Sequence, residues 1–112
     1  MQKDIEMLIV TLDEIVALLR KHEIDRWADW LNKDARYLRN SDFHGVEHLM
    51  SAFGGMGSLN DLVLAEVSAD NPEYLVTSPD DALFQSLLNK IHSLGSKLAA
   101  SSPEKPPAQT LV

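Results

Sequence analysis

The sequence predicts a small all-α domain of four helices, and three observations lead to that prediction. Apolar residues recur at the i, i+3, i+4, i+7 spacing of a buried helical face in segments 4–21, 24–39 and 83–98. Capping residues and glycines separate these segments. The chain has 112 residues and is 45% hydrophobic, enough for one domain with its own core. We therefore expect residues 1–100 to form a single helical domain and residues 101–112, rich in Ser and Pro, to form a disordered tail.

The first two helices are expected to pair as an antiparallel hairpin. The first helix covers residues 4–21, with acids in its first turn and basic residues at its end, the order that complements the helix dipole. Its apolar stripe is wide, which indicates burial between two neighbours or burial in a dimer. The second helix covers residues 24–39, and the connection of two residues before it is too short for any arrangement but a hairpin.

A third helix is predicted to begin after a cap at Ser41 or Asp42 and to end at Gly54–Gly55. This end belongs to a glycine-rich stretch that we expect to be a tight packed turn. Beyond it, a capping-box pattern predicts a short helical turn over residues 59–62. Residues 62–64 could equally start an extended segment.

Residues 66–77 form the least regular segment, with a turn around residues 70–72. Residues 75–76 could be a short strand or only a buried anchor, and the sequence leaves both readings open. The Ser-Pro-Asp-Asp sequence at 78–81 is a strong helix start, so the last helix is expected to begin there.

The net charge of -7 argues against a nucleic-acid partner, because phosphate contacts need clustered Lys and Arg. Residues 66–81 contain five acids and no Lys or Arg. A solvated loop would account for this composition. The alternative is a docking face for a basic protein, with Tyr74 or Trp30 as an aromatic anchor. The acids that would form such a face are Glu66, Asp70, Glu73, Asp80 and Asp81.

Two patterns resemble chemical motifs without supporting a catalytic assignment. His44-Gly-Val-Glu-His48 has the H-x-x-E-H spelling of inverted zinc peptidases, and its histidines could share a metal from one helical face. A chain of this length leaves little room for a substrate cleft, so His44 and His48 are interpreted as an exposed pair. The stretch 54–58 lacks the Lys-Ser/Thr ending of a phosphate loop. No metal and no cofactor are expected.

The absence of cysteine excludes disulfides and thiolate chemistry. Charged residues interrupt the apolar N-terminal segment, so it does not read as an export signal. No apolar run approaches the roughly 20 residues of a membrane span. We therefore expect a cytoplasmic, most simply bacterial, protein with no membrane partner.

The block 49–64, with the sequence LMSAFGGMGSLNDLVL, resembles a family of small uncharacterised bacterial proteins, a domain of unknown function. Segments 14–19 and 27–31 are similar to the helical hairpin of that family, so the resemblance covers about residues 5–64. Proteins of this type are similar in size, acidity and helicity to immunity proteins, which neutralise toxins of interbacterial competition. The resemblance implies no particular site residues.

These observations lead to one principal functional hypothesis and two alternatives. The principal hypothesis is an immunity-type inhibitor that binds a basic toxin domain and occludes its active site. The first alternative is a structural or regulatory homodimer that pairs through the wide apolar face of the first helix. The second is a small metal-dependent hydrolase that uses His44, Glu47 and His48.

Overall fold

The computed structural model describes residues 2–54 and 57–101, and these residues form a mostly helical domain with a small β-hairpin. The predicted helical character is confirmed, but the all-α class is wrong because two short strands pair near the middle of the chain. In chain order the elements are α1 (Gln2–Lys21), α2 (Asp25–Arg39), α3 (His44–Met50), a 3-10 turn (Leu59–Asp61), β1 (Ala65–Val67), β2 (Leu75–Thr77) and α4 (Asp81–Ser101).

Helix α1 lies between α2 and α4, which explains its wide apolar stripe. Ion pairs join one end of α1 to α4, from Asp4 to Lys97 at 3.0 Å, and the other end to the residue just before α4, from Lys21 to Asp80 at 2.8 Å. These pairs require α1 and α4 to run antiparallel. The core between them is built from fully buried side chains, which include Leu8, Leu12, Ile15, Leu19, Phe84 and Ile91.

Helix α3 ends at Met50, earlier than the predicted end at Gly54–Gly55. After Met50 the backbone hydrogen bonds tighten to the i→i−3 pattern, from Ala52 N–H to Leu49 O and from Phe53 N–H to Met50 O. The Ser51 hydroxyl also donates to the carbonyl of His48 at 2.6 Å. This local side-chain bond competes with helix continuation. At the other end, Asp42 rather than Ser41 accepts the backbone N–H of His44.

The glycine-rich turn is held by side chains of the 3-10 turn that follows it. Gly54 and Gly57 have φ values of +97° and +79°, a region that glycine enters readily and other residues avoid. The side chains of Asn60 and Asp61 accept the backbone N–H groups of these two glycines. Residues 55–56 of the turn and the predicted tail beyond residue 101 lie outside the described residues.

Strands β1 and β2 pair antiparallel, with Ala65 opposite Thr77 and Val67 opposite Leu75. A turn centred on Asn71 reverses the chain, and its carbonyl accepts the N–H of Tyr74 at 3.0 Å. The structure thus confirms the strand reading of residues 75–76. Neither strand packs closely against a described helix. Of the described helices, none is both long and apolar enough to cross a membrane.

Candidate functional site

Polar and aromatic side chains gather in two regions of the molecule. The first, called the polar cluster here, lies between α2 and α3 and consists of Trp30, Asp34, Tyr37 and His48. The second, called the acidic hairpin, comprises residues 65–77, which are strands β1 and β2 and the turn between them. A groove between α1 and α4 is a third surface feature.

Asp34 is the buried centre of the polar cluster, with no exposed surface. One oxygen of its carboxylate, Oδ1, accepts a hydrogen bond from Nδ1 of His48. The other, Oδ2, is buried and has no hydrogen-bond partner among the described residues. Burial raises the pKa of Asp34 to about 6, and the hydrogen bond from His48 opposes that shift. The fold therefore holds a titratable group in an apolar setting with only half of its acceptors satisfied.

Aromatic rings fix the orientation of the His48 imidazole. The ring of Trp30 stacks on it with centroids 4.4 Å apart and an interplanar angle of 21°. The ring of Tyr37 packs edge-on with the imidazole, with the two ring centroids 6.3 Å apart. The indole N–H of Trp30 donates to the carbonyl of His48 at 3.3 Å. Trp30, one of the two predicted anchors for a partner, is thus half-buried and contacts groups inside its own chain.

Gly45 allows α3 to approach α2 closely enough to form the polar cluster. A Cβ atom at this position would lie 2.7 Å from Cβ of Tyr37 and 3.1 Å from the carbonyl oxygen of Asp34. The glycine of the H-x-x-E-H pattern therefore has a packing role. Sequence reasoning missed Asp34 as well, although its position three residues after the buried Leu31 placed a charge on the apolar stripe of α2.

The two histidines of the H-x-x-E-H pattern have different carboxylate partners. His44 is exposed, and its Nδ1 lies 2.9 Å from Asp42, whereas His48 turns inward to Asp34. An imidazole oriented by a buried carboxylate resembles the His–Asp part of a hydrolase triad. In the described part of the chain, however, no hydroxyl is hydrogen-bonded to Nε2 of His48. No three His, Asp or Glu side chains of the described residues are grouped to hold a metal ion.

Every residue of the two strands in the acidic hairpin is exposed. Leu75, Tyr74 and Val67 expose 71%, 63% and 58% of their surface. The pairing register places Val67 and Leu75 side by side on one face and Glu66 beside Val76 on the other. These apolar side chains lie outside the core, so their exposure is not explained by packing.

Three of the five predicted acids are free surface groups on the hairpin. Glu66, Asp70 and Glu73 are exposed, and their carboxylates form no ion pair with a described residue. The charge of Glu66 still acts at longer range on Lys21, whose pKa is raised mainly by its hydrogen bond with Asp80. The face of the hairpin that carries Glu66 therefore lies toward the end of α1.

Asp80 and Asp81 instead hold the start of α4 in place. Asp80 pairs with Lys21 at 2.8 Å and with His22 at 2.9 Å, and these hydrogen bonds lower the pKa of its carboxyl. Asp81 accepts the backbone N–H of Leu64 at 2.9 Å, immediately before β1. The predicted acidic face is thus divided, because two of its five members are engaged within the fold.

The acidic hairpin lies within a longer segment that contains no cation. Residues 40–89 contain eight acids and neither Lys nor Arg, whereas all Lys and Arg residues fall within 3–39 and 90–105. The predicted acidic stretch, residues 66–81, covers only part of this segment without Lys or Arg. The charge partition was visible in the sequence and was missed.

A second apolar surface runs along α1 beside the start of α4. Met7 and Val10 of α1 and Leu83 of α4 are each about half exposed. An open groove of about 370 Å³ lies between the two helices. Its lining residues are Glu14, Ala17, Leu18, Lys21, Leu83 and Leu87.

Residues 20–72 match the model of a family described as Domain of unknown function (DUF6966). The matched segment includes the polar cluster, the glycine-rich turn, β1 and the hairpin turn, and it omits β2 and α4. Comparisons with curated proteins and with solved structures found no match. Over slightly less than half of its length, the chain is therefore similar to an uncharacterised domain family.

Proposed function

We propose that this protein is a non-enzymatic binding protein whose acidic hairpin docks on a basic partner domain. The observation that carries the proposal is the coincidence of exposed Leu75, Tyr74 and Val67 with unpaired Glu66, Asp70 and Glu73 on one small element. An apolar centre with a charged rim is the usual anatomy of a protein interface. The polar cluster offers no such surface, because its groups are directed at one another.

Simple energetics support docking at the hairpin. Burying one large apolar side chain contributes about 1.5–3 kcal/mol, and the pairing register places two of them, Val67 and Leu75, side by side on one face of the hairpin, with Tyr74 on the other. Part of that gain offsets the cost of association, so the apolar centre alone gives moderate affinity. The acids contribute mainly to encounter, because an acidic surface attracts a basic protein over distances of about 10 Å at physiological salt.

The partner class that we propose is a basic bacterial toxin domain, which the protein would neutralise in the cytoplasm by covering its active site. Two features support this class: the small size and acidity of the chain, and its resemblance to small proteins with the character of immunity proteins. A tight inhibitor of this kind places an aromatic anchor near the centre of the contact, a position that suits Tyr74.

If a neighbouring gene encodes a basic protein, co-expression of the two proteins tests this proposal. We expect the two proteins to co-purify and the toxicity of the partner to be suppressed. Reversing Glu66, Asp70 and Glu73 to Lys should raise the dissociation constant about 100-fold in calorimetry and reduce its salt dependence.

The matched control replaces three exposed acids outside the hairpin, Glu6, Glu14 and Glu47, by Lys. It therefore has the same net charge as the hairpin variant. This variant should bind within about fivefold of the wild type, because charges distant from an interface are screened. Equal losses in the two variants would show that net charge, rather than the hairpin, controls binding. If the adjacent basic protein neither binds nor is neutralised, the toxin-inhibitor proposal is wrong.

A homodimer is the second candidate function, and the exposed surface of α1 favours it. Positions 7, 10, 14, 17 and 21 advance by alternating steps of three and four, the spacing of a coiled-coil seam. Met7, Val10 and Ala17 supply apolar groups to this seam, and the exposed Glu14 lies within it.

Sedimentation at about 50 µM, well above a micromolar dissociation constant, decides between monomer and dimer. The homodimer reading predicts a dimer for the wild type and a monomer for Val10→Glu. Val63→Glu, an equally exposed valine outside the seam, should leave the dimer intact. A monomeric wild-type protein at this concentration would rule out the homodimer as the function.

A further inference from the structure

We infer that the partner adds an extended basic segment to the free edge of β2, so that the acidic hairpin becomes part of a three-stranded sheet. This inference rests on the proposed function, because it specifies how the same hairpin recognises its partner. It also makes a claim that the proposed function does not make: backbone hydrogen bonds, not only side chains, join the two proteins.

The register of the hairpin determines which backbone groups are available. Ser68 N–H donates to Tyr74 O at 2.9 Å and Ser78 N–H donates to Leu64 O at 2.8 Å. Hydrogen-bonded pairs alternate along an antiparallel ladder, so the backbone groups of Glu66 and Val76 face each other between the strands. The N–H and C=O groups of residues 65, 67, 75 and 77 therefore point outward, and no described residue is hydrogen-bonded to them.

The two outward edges differ in how well they are protected. Natural sheets discourage strand addition at free edges with charged side chains or proline. Strand β1 carries Glu66, whereas residues 74–77, Tyr-Leu-Val-Thr, contain neither a charge nor a proline. Aromatic and branched residues of this kind also favour extended pairing. The edge of β2 therefore has neither of the features that discourage strand addition.

The side chains around β2 define the chemistry of the added strand. On one face, Leu75 and Thr77 would lie beside alternate residues of the new strand, which favours apolar groups there. On the other face lie Tyr74, Val76 and the carboxylate of Glu66, which favours Lys or Arg. A second copy of this chain is disfavoured, because edge-to-edge pairing would bring two acidic hairpins together. The occupant is therefore a segment with alternating apolar and basic residues.

A peptide of eight alternating Lys and Val residues is the probe. We expect the backbone amide signals of Leu75 and Thr77 to shift in NMR titration and to become protected from exchange. Thr77→Pro removes one outward N–H and leaves the bond from Ser78 to Leu64 possible. This variant should bind the peptide about tenfold more weakly, whereas Thr77→Val, which keeps the N–H, should bind like the wild type.

Three controls separate strand addition from other modes of docking. Ala65→Pro blocks the outward edge of β1 and should leave binding unchanged. The same peptide with every backbone amide methylated retains its charge and side chains, and we expect no protection of Leu75 and Thr77 with it. A Glu-Val peptide of equal length should not bind.

Equal binding of the methylated and unmethylated Lys-Val peptides would overturn strand addition and leave charge-driven docking intact. Protection of Leu75 and Thr77 in the absence of peptide, together with dimer formation, would also overturn it and identify a second copy as the occupant. Sensitivity of binding to the triple reversal of Glu66, Asp70 and Glu73 reports on the proposed function separately, because those substitutions leave the backbone groups of β2 in place.

Discussion

The polar cluster and the acidic hairpin use similar residue types in opposite ways. In the cluster, Asp34, His48 and Trp30 are joined by hydrogen bonds and ring stacking, and Gly45 brings their two helices together. In the hairpin, acids and large apolar groups share one element, yet each of them faces solvent. Buried polar groups are normally paired, whereas an exposed apolar group without a packing role is free to contact something else.

A chemical motif is therefore informative only after its contacts are known. The H-x-x-E-H pattern contains residues suited to metal chemistry, but its inward histidine is engaged by Asp34. The irregular segment around Tyr74 contains no recognised motif, and it carries the surface that remains unused by the fold.

The largest expected effect is on Gly45. Gly45→Ala places Cβ against Tyr37 Cβ and the backbone of Asp34, and neither atom belongs to a flexible chain end. We expect a loss of about 3 kcal/mol in the free energy of unfolding, measured by urea denaturation. The control is Gly95→Ala, where the single close contact of the new Cβ would be with Sδ of the flexible Met50 side chain and Leu49 Cδ2 would lie at an ordinary 3.6 Å, so that the change should be near zero. Similar results for both variants would contradict the close approach of α3 to α2.

A pH dependence of stability is expected from Asp34. Its pKa in the folded protein, about 6, is above the ordinary value, so the folded state binds the proton more strongly than the unfolded state does. The contribution of Asp34 to unfolding free energy should therefore rise as pH falls from 7 to 4, by about 2 kcal/mol. Asp34→Asn cannot titrate and should lack this rise.

Denaturation of the wild type and Asp34→Asn at four pH values between 4 and 7.5 measures the difference. Asp70→Asn, which changes an exposed acid of the hairpin, is the matched control and should follow the wild type. Parallel pH profiles for the wild type and Asp34→Asn would mean that Asp34 is not held in the apolar environment described here.

A smaller effect separates the two kinds of acid in the predicted 66–81 face. Asp81→Ala leaves the backbone N–H of Leu64 without its acceptor, and we expect a loss of about 1 kcal/mol in unfolding free energy. Glu73→Ala removes an exposed carboxylate with no ion-pair partner among the described residues and should change stability by less than about 0.5 kcal/mol. Thermal unfolding of the two variants measures this difference. Equal losses of stability in Asp81→Ala and Glu73→Ala would indicate that both acids are engaged within the fold.

The smallest effect on stability is expected at Leu75. Leu75→Ser removes the most exposed large apolar side chain of the hairpin and should change unfolding free energy by less than about 0.5 kcal/mol. Leu31→Ser, in the core, should instead unfold the protein or cost several kcal/mol. A large loss at Leu75 would show that the hairpin is packed in solution and is therefore not a free surface.

The helices were predictable because their signals are local and long. The apolar stripes of α1, α2 and α4 repeat over several turns, and the Ser-Pro-Asp-Asp start of α4 combines several capping preferences. Strand β1 was anticipated only as an extended segment that could start at residues 62–64, because the three residues of Ala65–Val67 are too few to establish a period of two. The early end of α3 depends on the Ser51 hydroxyl, whose competition with the helix the sequence does not reveal.

The site was only partly predictable, because exposure and pairing depend on tertiary contacts. In the sequence the five acids at 66–81 look equivalent. Only the structure shows that Asp80 and Asp81 are bonded within the fold, whereas Glu66, Asp70 and Glu73 are exposed. Trp30 and Tyr74 were both predicted to be aromatic anchors for a partner, but the ring of Trp30 stacks on His48 within the fold. The charge on the apolar stripe at Asp34 was a signal in the sequence, and it pointed to a buried pair.

The affinity of a hairpin variant for the co-expressed basic partner decides whether the acidic hairpin is the docking surface. The double variant Tyr74→Ser/Leu75→Ser removes the most exposed large apolar side chain from each face of the acidic hairpin and retains every charge. We predict an unchanged melting temperature and a dissociation constant raised about 100-fold, the loss expected for two central contacts. Wild-type affinity in this stable variant would contradict the assignment of the hairpin as the docking surface.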